Sequence, residues 1–210
     1  MAAVVGIDFD NTIASYDELL FRAAVDRRLI PAGADRTKRA VRDLIRLLPD
    51  GEIEWQKLQA LLYGPLMPGA RPTDGVGDFI RWCRGAGITV FIVSHKTQYA
   101  NYDETGTDLR TAALEWMAAQ RFFDAGGLGL RPSDVFFEST REDKIARIRT
   151  LGCSHFIDDL EEVFLEPSFP ANVQRILYAP AAASRDGAAT AAVVLRSWQA
   201  VRDYFAHCCA

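Results

Sequence analysis

The stretch VVGIDFDNTI, residues 4–13, places two carboxylates at the end of an apolar run. Asp8 and Asp10 are separated by one phenylalanine, and the residues before them have the composition of a buried strand. Taken alone, the aspartates have a plain alternative, because Asp-x-Asp-Asn-Thr is also favourable turn or helix-cap chemistry. The ends of the other strands decide between these interpretations.

Strand and helix patterns alternate along most of the chain. Five short, largely apolar runs are predicted as strands: 4–9, 88–93, 135–137, 155–157 and 174–178. Amphipathic helices are predicted between them at 75–84, 108–122 and 142–151, and Ser139 with Glu142 has the spacing of a capping box before the last. This alternation predicts a doubly wound, parallel α/β sheet.

Residues 14–71 depart from this alternation, because they contain three helical patterns and no convincing strand. The first pattern is predicted to start at a Ser15/Glu18 capping box and to end before Pro31. We predict that 14–71 forms a small helical unit inserted after the first strand, and that 1–13 and 72–210 form the core. Tethered there, the unit is expected to cover the carboxyl edge of the sheet, where open α/β sheets bind ligands.

Further polar residues follow other predicted strands. Ser94 comes after ITVFIV, Asp158 and Asp159 come after SHFI, and Lys144 lies in the helix that leads into that third strand. With the first aspartate pair, four carboxylates would meet at one sheet edge beside a single lysine. Their repulsion requires a cation, and a set of oxygen ligands without histidine suits Mg²⁺. The sequence therefore predicts a metal-dependent site.

Together these features resemble the haloacid dehalogenase (HAD) superfamily. Its four motifs appear as DFDNT (8–12), VSHKT (93–97), Lys144 and IDD (157–159), and the match extends over the whole chain. The resemblance implies a Rossmann-like core, an α-helical cap, a Mg²⁺ cofactor and an aspartyl-phosphate intermediate. The dehalogenase and phosphonatase branches lack an aspartate at the position of Asp10, so its presence favours phosphate-ester chemistry.

The resemblance also implies roles for the acidic residues. Asp8 would be the nucleophile, and Asp10 the general acid and then the base for the attacking water. Mg²⁺ would be held by Asp8, Asp158 and the main-chain carbonyl of Asp10, with Asp159 as an outer ligand.

The remaining site residues are expected to bind substrate. Ser94, Lys144 and Asn11 would bind the phosphoryl group. His95 and Lys96 are candidate substrate contacts, although His95 fits a hydrogen bond to the backbone equally well. Two features are left without an assigned role: the long 96–108 loop, and the basic run of the second helical pattern, formed by Arg36, Lys38, Arg39, Arg42 and Arg46.

These observations predict a Mg²⁺-dependent phosphatase acting on a small phosphomonoester, such as a sugar phosphate or a nucleotide-like metabolite. A phosphoryl transferase of the mutase kind and a catalytically silent binding module remain open alternatives. A net charge of −4 argues against nucleic acid as a partner. With no membrane-length apolar run and no basic leader pattern, a cytoplasmic location without membrane binding is expected.

Overall fold

The computed structural model describes residues 3–103, 105–180 and 191–208. The described strands, in chain order, are β1 (Val4–Ile7), β2 (Ala14–Ser15), β3 (Arg71–Pro72), β4 (Thr89–His95), β5 (Val135–Glu138), β6 (His155–Asp158), β7 (Gln174–Tyr178) and β8 (Val193–Leu195). The α-helices are α1 (Asp17–Asp26), α2 (Lys38–Arg46), α3 (Gly51–Tyr63), α4 (Val76–Gly85), α5 (Leu109–Ala119), α6 (Arg141–Thr150), α7 (Glu161–Phe164) and α8 (Trp198–Cys208).

Six strands form one parallel sheet in the order β5-β4-β1-β6-β7-β8. The predicted α/β class and parallel sheet are confirmed. Both faces of the sheet are covered, because the adjacent residues Ile92 and Val93 point to opposite faces and are both 0% exposed. In this order β1 is central, and its two neighbours are β4, in which Ser94 is the last-but-one residue, and β6, which ends in Asp158.

The chain divides into two compact units. The first consists of the described residues up to 14, of 72–96 and of those from 120 onward, and it contains the six-stranded sheet. The second consists of 15–71 and the described residues of 97–119. It has its own apolar core, formed by α1, α2 and α3 around Leu20, Val41, Trp55 and Leu58.

The segment 97–119 was predicted to belong to the core, but it groups with the helical residues 15–71. The reason is visible at α5. The indole of Trp116 donates a hydrogen bond to the carbonyl of Ala70 (3.0 Å), and Trp116, Ala113 and Met117 are all buried. Local periodicity does not reveal a pairing between residues 46 positions apart.

Two predicted helix starts need correction. Ser15 lies in β2, so it does not cap α1, which begins after Tyr16 without a side-chain cap. The cap of α6 is Thr140, whose hydroxyl accepts a hydrogen bond from the amide of Asp143 (3.0 Å), one position beyond the predicted Ser139/Glu142 box. The strand β8 was not predicted, because three residues carry too little pattern to identify.

Candidate active site

The loop that carries the first motif follows β1 and is closed by backbone hydrogen bonds. The amide of Asp8 donates to the carbonyl of Ile157 (2.9 Å), which extends the pairing of β1 with β6 by one residue. Asn11 adopts a φ of 61°, a left-handed conformation that asparagine tolerates better than most residues, and its amide donates to the carbonyl of Ala14 (2.8 Å). The chain therefore turns directly after Asp10.

Asp8 is buried and contacted by two of the predicted phosphate-binding residues. The Ser94 hydroxyl donates to Asp8 Oδ1 (2.9 Å), and the Lys144 ammonium donates to the same oxygen (2.6 Å). Since Ser94 comes from β4 and Lys144 from α6, two elements far apart in the sequence orient one carboxylate. The three residues are brought together as the strand-end argument predicts.

Lys144 also binds Asp158, whose Oδ2 lies 2.7 Å from its ammonium. Burial disfavours the charged lysine, but the carboxylates of Asp158 and Asp8 outweigh it and raise the pKa of Lys144. Burial is also the main cause that raises the pKa of Asp158 to about 6, and the charge of Asp8 adds to it while Lys144 partly offsets it. Lys144 therefore favours the ionised form of the Asp158 carboxylate, which burial disfavours.

Three carboxylates at this edge can share a cation. Among the described residues, Asp8, Asp158 and Asp159 each offer an oxygen, and these oxygens lie within 4.8 Å of one another. Asp158 is further oriented by the amide of Leu160, which donates to its Oδ1 (2.9 Å). The set contains only oxygen donors and fits a hard divalent cation such as Mg²⁺. Asp159, predicted as an outer ligand, lies in the same cluster as the two predicted inner ones.

Asp10, the second aspartate of the first motif, pairs with Lys96, which the sequence argument expected to contact substrate. The Lys96 ammonium lies 2.9 Å from Oδ2 and 3.1 Å from Oδ1 of Asp10. The charge balance at this edge therefore involves two lysines, whereas the sequence argument counted one. Four carboxylates against two ammonium groups leave a formal charge of −2, which one divalent cation balances.

A signal for Lys96 was present in the sequence. Alternate residues of a strand share a face, so Ser94 and Lys96 point the same way while His95 points away. The structure follows this rule, since Ser94 and Lys96 are buried and His95 is exposed. The Nε2 atom of His95 lies 3.1 Å from the carbonyl oxygen of Ser139, which is the backbone contact anticipated as the alternative. Substrate contacts by His95 and Asn11 remain predictions.

Solved structures similar to this chain share one fold. A haloacid dehalogenase-like hydrolase from Streptococcus pneumoniae superimposes with a TM-score of 0.62 at 11% identity, over 97% of this chain and 98% of that one. A HAD family hydrolase from Deinococcus radiodurans, solved with bound phosphate and sodium, gives 0.59 at 15% identity over 98% and 96%. A HAD-superfamily hydrolase from Ehrlichia chaffeensis gives 0.52 at 15% identity over the full length of both chains.

This chain has the haloacid dehalogenase fold. The resemblance inferred from four short motifs is therefore confirmed for the fold. No protein-family model and no curated protein matches the sequence. Within the described ranges, no helix has the length and apolar character needed to cross a membrane.

The HAD fold explains why the motif residues meet although up to 150 positions separate them. In a parallel sheet all strands end at the same edge, and β4, β1 and β6 are adjacent. Asp8 directly follows β1, Ser94 is the last-but-one residue of β4, and Asp158 is the last residue of β6. The order of the strands, rather than proximity along the chain, therefore assembles the site.

Proposed function

We propose that this chain is a Mg²⁺-dependent phosphatase of the HAD kind, which hydrolyses a small phosphomonoester through an aspartyl-phosphate. The observation that carries the proposal is the pair of contacts on Asp8 Oδ1 from Ser94 and Lys144, beside a cluster of carboxylates. A carboxylate held in place by two donors is oriented as a nucleophile has to be. The same donors suit the equatorial oxygens of a phosphoryl group.

In the proposed reaction, an Asp8 oxygen attacks phosphorus while the bond to the leaving oxygen breaks. Asp10, which has to enter this step in its protonated form, gives its proton to that oxygen, and the alcohol departs. Asp10 then takes a proton from a water molecule, whose oxygen attacks phosphorus and releases phosphate, so that Asp8 is regenerated. Lys144 and Ser94 bind the phosphoryl oxygens during both steps.

The carboxylates of Asp8, Asp158 and Asp159 would hold Mg²⁺, as their geometry allows. When bound, the ion supplies charge stabilisation for the phosphoryl oxygens. Lys144 contacts two of the three carboxylates and lowers the repulsion among them. The phosphate bound to the Deinococcus hydrolase supports phosphoryl chemistry for a site on this fold.

Asp10 favours phosphate esters over other substrates of this fold. A displacement of halide from carbon needs no proton donor for the leaving group, whereas an alkoxide leaving group does. Asp10 is oriented by an ion pair with Lys96 and is partly exposed, which suits a group that exchanges protons with a substrate. The fold alone does not distinguish phosphate esters from other substrates, whereas the presence of Asp10 beside Asp8 favours phosphate esters.

The proposal is tested by measuring phosphate release from sugar phosphates, nucleoside monophosphates and p-nitrophenyl phosphate, with Mg²⁺ and with excess chelator. We expect release that requires Mg²⁺ and is abolished in Asp8→Asn. Asp203→Asn, which changes an exposed carboxylate in α8, serves as the matched control and should keep full activity. Release that persists in chelator, or no release from any ester, would overturn the proposal.

A further inference from the structure

Lys96 is buried against the second aspartate of the first motif. Its side chain is 2% exposed, and its ammonium contacts both carboxylate oxygens of Asp10, which is 18% exposed. Burying an ammonium is costly unless a partner compensates it, so Lys96 and Asp10 hold each other in place. The terminal torsion of an aspartate is otherwise broad, and contact with both oxygens restricts it.

The backbone of Lys96 is fixed independently of this ion pair. Its amide donates to the carbonyl of Glu138 (2.8 Å), the last residue of β5, and its ammonium lies 5.4 Å from the ring centroid of Phe9. The distance to the ring is within the range of a cation–π contact. The orientation of Asp10 therefore depends on β4 and β5 as well as on its own loop.

We propose that Lys96 is a positioning residue for Asp10, which it holds in the orientation that exchanges a proton with the leaving oxygen. This role differs from the substrate contact expected from the sequence, and it rests on the proposed phosphatase function. Lys144 orients the nucleophile and Lys96 orients the proton donor, so each aspartate of the motif has its own lysine.

The proposal predicts a dependence on the leaving group. An alkyl phosphate releases a basic alkoxide and needs the proton from Asp10, whereas p-nitrophenyl phosphate releases a stable phenolate and needs it little. Loss of the Asp10 orientation should therefore slow the first substrate far more than the second. A purely structural role for Lys96 would affect both substrates equally.

The test is Lys96→Met, which keeps most of the side-chain volume and removes the ammonium. For a primary alkyl phosphate that the wild type hydrolyses, we expect kcat/KM to fall about 10- to 100-fold. For p-nitrophenyl phosphate we expect less than about a threefold fall, because little protonation is needed. Lys57→Met, which removes a lysine paired with Glu54 in α3, serves as the matched control and should change neither value.

Lys96→Met removes the ammonium that pairs with the Asp10 carboxylate, so the double variant Lys96→Met/Asp10→Asn is needed where the single variant folds poorly. If Lys96 acts through Asp10, the ratio of kcat/KM for p-nitrophenyl phosphate to kcat/KM for the alkyl phosphate should be the same in the double variant as in Asp10→Asn alone. Inhibition by inorganic phosphate should be unchanged in Lys96→Met, since the proposed role does not involve the phosphoryl group.

Three results would overturn the positioning role. Equal losses on both esters would indicate a structural role, and weaker inhibition by inorganic phosphate without a leaving-group effect would indicate a direct substrate contact. A double variant whose rate ratio differs from that of Asp10→Asn would show that Lys96 acts on something else. A wild type that hydrolyses neither ester would reject the phosphatase proposal itself, and this inference with it.

Discussion

Asp8 and Asp10 stand two positions apart, yet the structure places them in different surroundings. Asp8 is buried and receives hydrogen bonds from Ser94 and Lys144, whereas Asp10 is partly exposed and paired with Lys96. A buried, oriented carboxylate suits attack on phosphorus, and a more accessible one suits proton exchange with substrate and water. The two residues should therefore fail in different ways when changed.

We expect Asp8→Asn to abolish both turnover and covalent labelling, because it removes the nucleophilic oxygen anion. Asp10→Asn removes only proton transfer, which contributes about 10²- to 10⁴-fold. With an aryl phosphate it should still form the covalent intermediate, and breakdown should slow because no base activates the water. Trapping with labelled phosphate, followed by mass mapping of the peptide, tests this.

Label on Asp10, or on neither aspartate in an active enzyme, would contradict this assignment. Direct attack by water would then be the better account of the reaction.

At the scale of elements, β1 and β6 pack closely below the site. A Cβ atom added at Gly6 would lie 2.6 Å from Cδ2 of Phe156 and 3.1 Å from Sγ of Cys153. Phe156 is fully buried, and the Lys144 ammonium lies 5.3 Å from its ring centroid. A glycine in the central strand therefore lets this ring lie beneath the lysine that binds Asp8.

We expect Gly6→Ala to lower the free energy of unfolding by about 1–3 kcal/mol, since the buried ring has to shift. Phe156→Leu in the same chain should recover part of the loss by making room. The matched control is Gly85→Ala at the end of α4, where an added Cβ meets nothing within 4 Å. Urea unfolding measures the free energy of unfolding of all three variants. An equal loss in Gly6→Ala and Gly85→Ala would contradict the packing argument.

His155 is the first residue of β6, and we expect it to make the free energy of unfolding depend on pH. Its ring is half-buried, with its centroid 4.7 Å from that of Phe205, and burial lowers its pKa below the ordinary 6.5. The unfolded chain therefore binds a proton more readily than the folded one. The stability from the neutral ring is complete above about pH 6.5 and is lost as the pH falls below that value.

We expect the free energy of unfolding to fall less between pH 7.5 and pH 5.5 in His155→Gln than in the wild type. His207→Gln, at an exposed position in α8, is the control and should behave as the wild type does. Comparing the slopes of the free energy of unfolding against pH among the three proteins separates the effect of His155 from that of other titrating groups. Identical slopes in the wild type and His155→Gln would refute the prediction.

At the scale of the whole molecule, the proposed binding of Mg²⁺ to the carboxylate cluster would couple folding to the cation. A ligand that binds only the folded state stabilises it by about 2.7 kcal/mol at a hundredfold excess over its Kd. We therefore expect saturating Mg²⁺ to raise Tm, and Asp158→Asn to remove most of that rise. Asp203→Asn should keep the full shift, and a wild type whose Tm ignores Mg²⁺ would contradict a metal site at this edge.

Much of the fold could be predicted because its signals are local. An apolar run of strand length followed by a carboxylate or a hydroxyl can be recognised without knowing what it contacts. Asp8, Ser94 and Asp158 were recognised in this way, Lys144 was recognised from its place in the helix before the strand that leads to Asp158, and the order of strands and helices identified a parallel sheet. That order brings strand ends to one edge in any such sheet, so the meeting of these four residues followed from local pattern.

Only the tertiary structure showed which distant residues pair with one another. Lys96 meets Asp10 across 86 positions, and Trp116 reaches Ala70 to bring 97–119 into the helical unit. Hydrophobic period reveals which face of an element is buried, but not which other element covers it. The sequence by itself therefore determined the fold class and the residues at the sheet edge. The choice of partner for each charged group depended on the folded chain, because an ion pair is made by atoms that only packing brings within 3 Å.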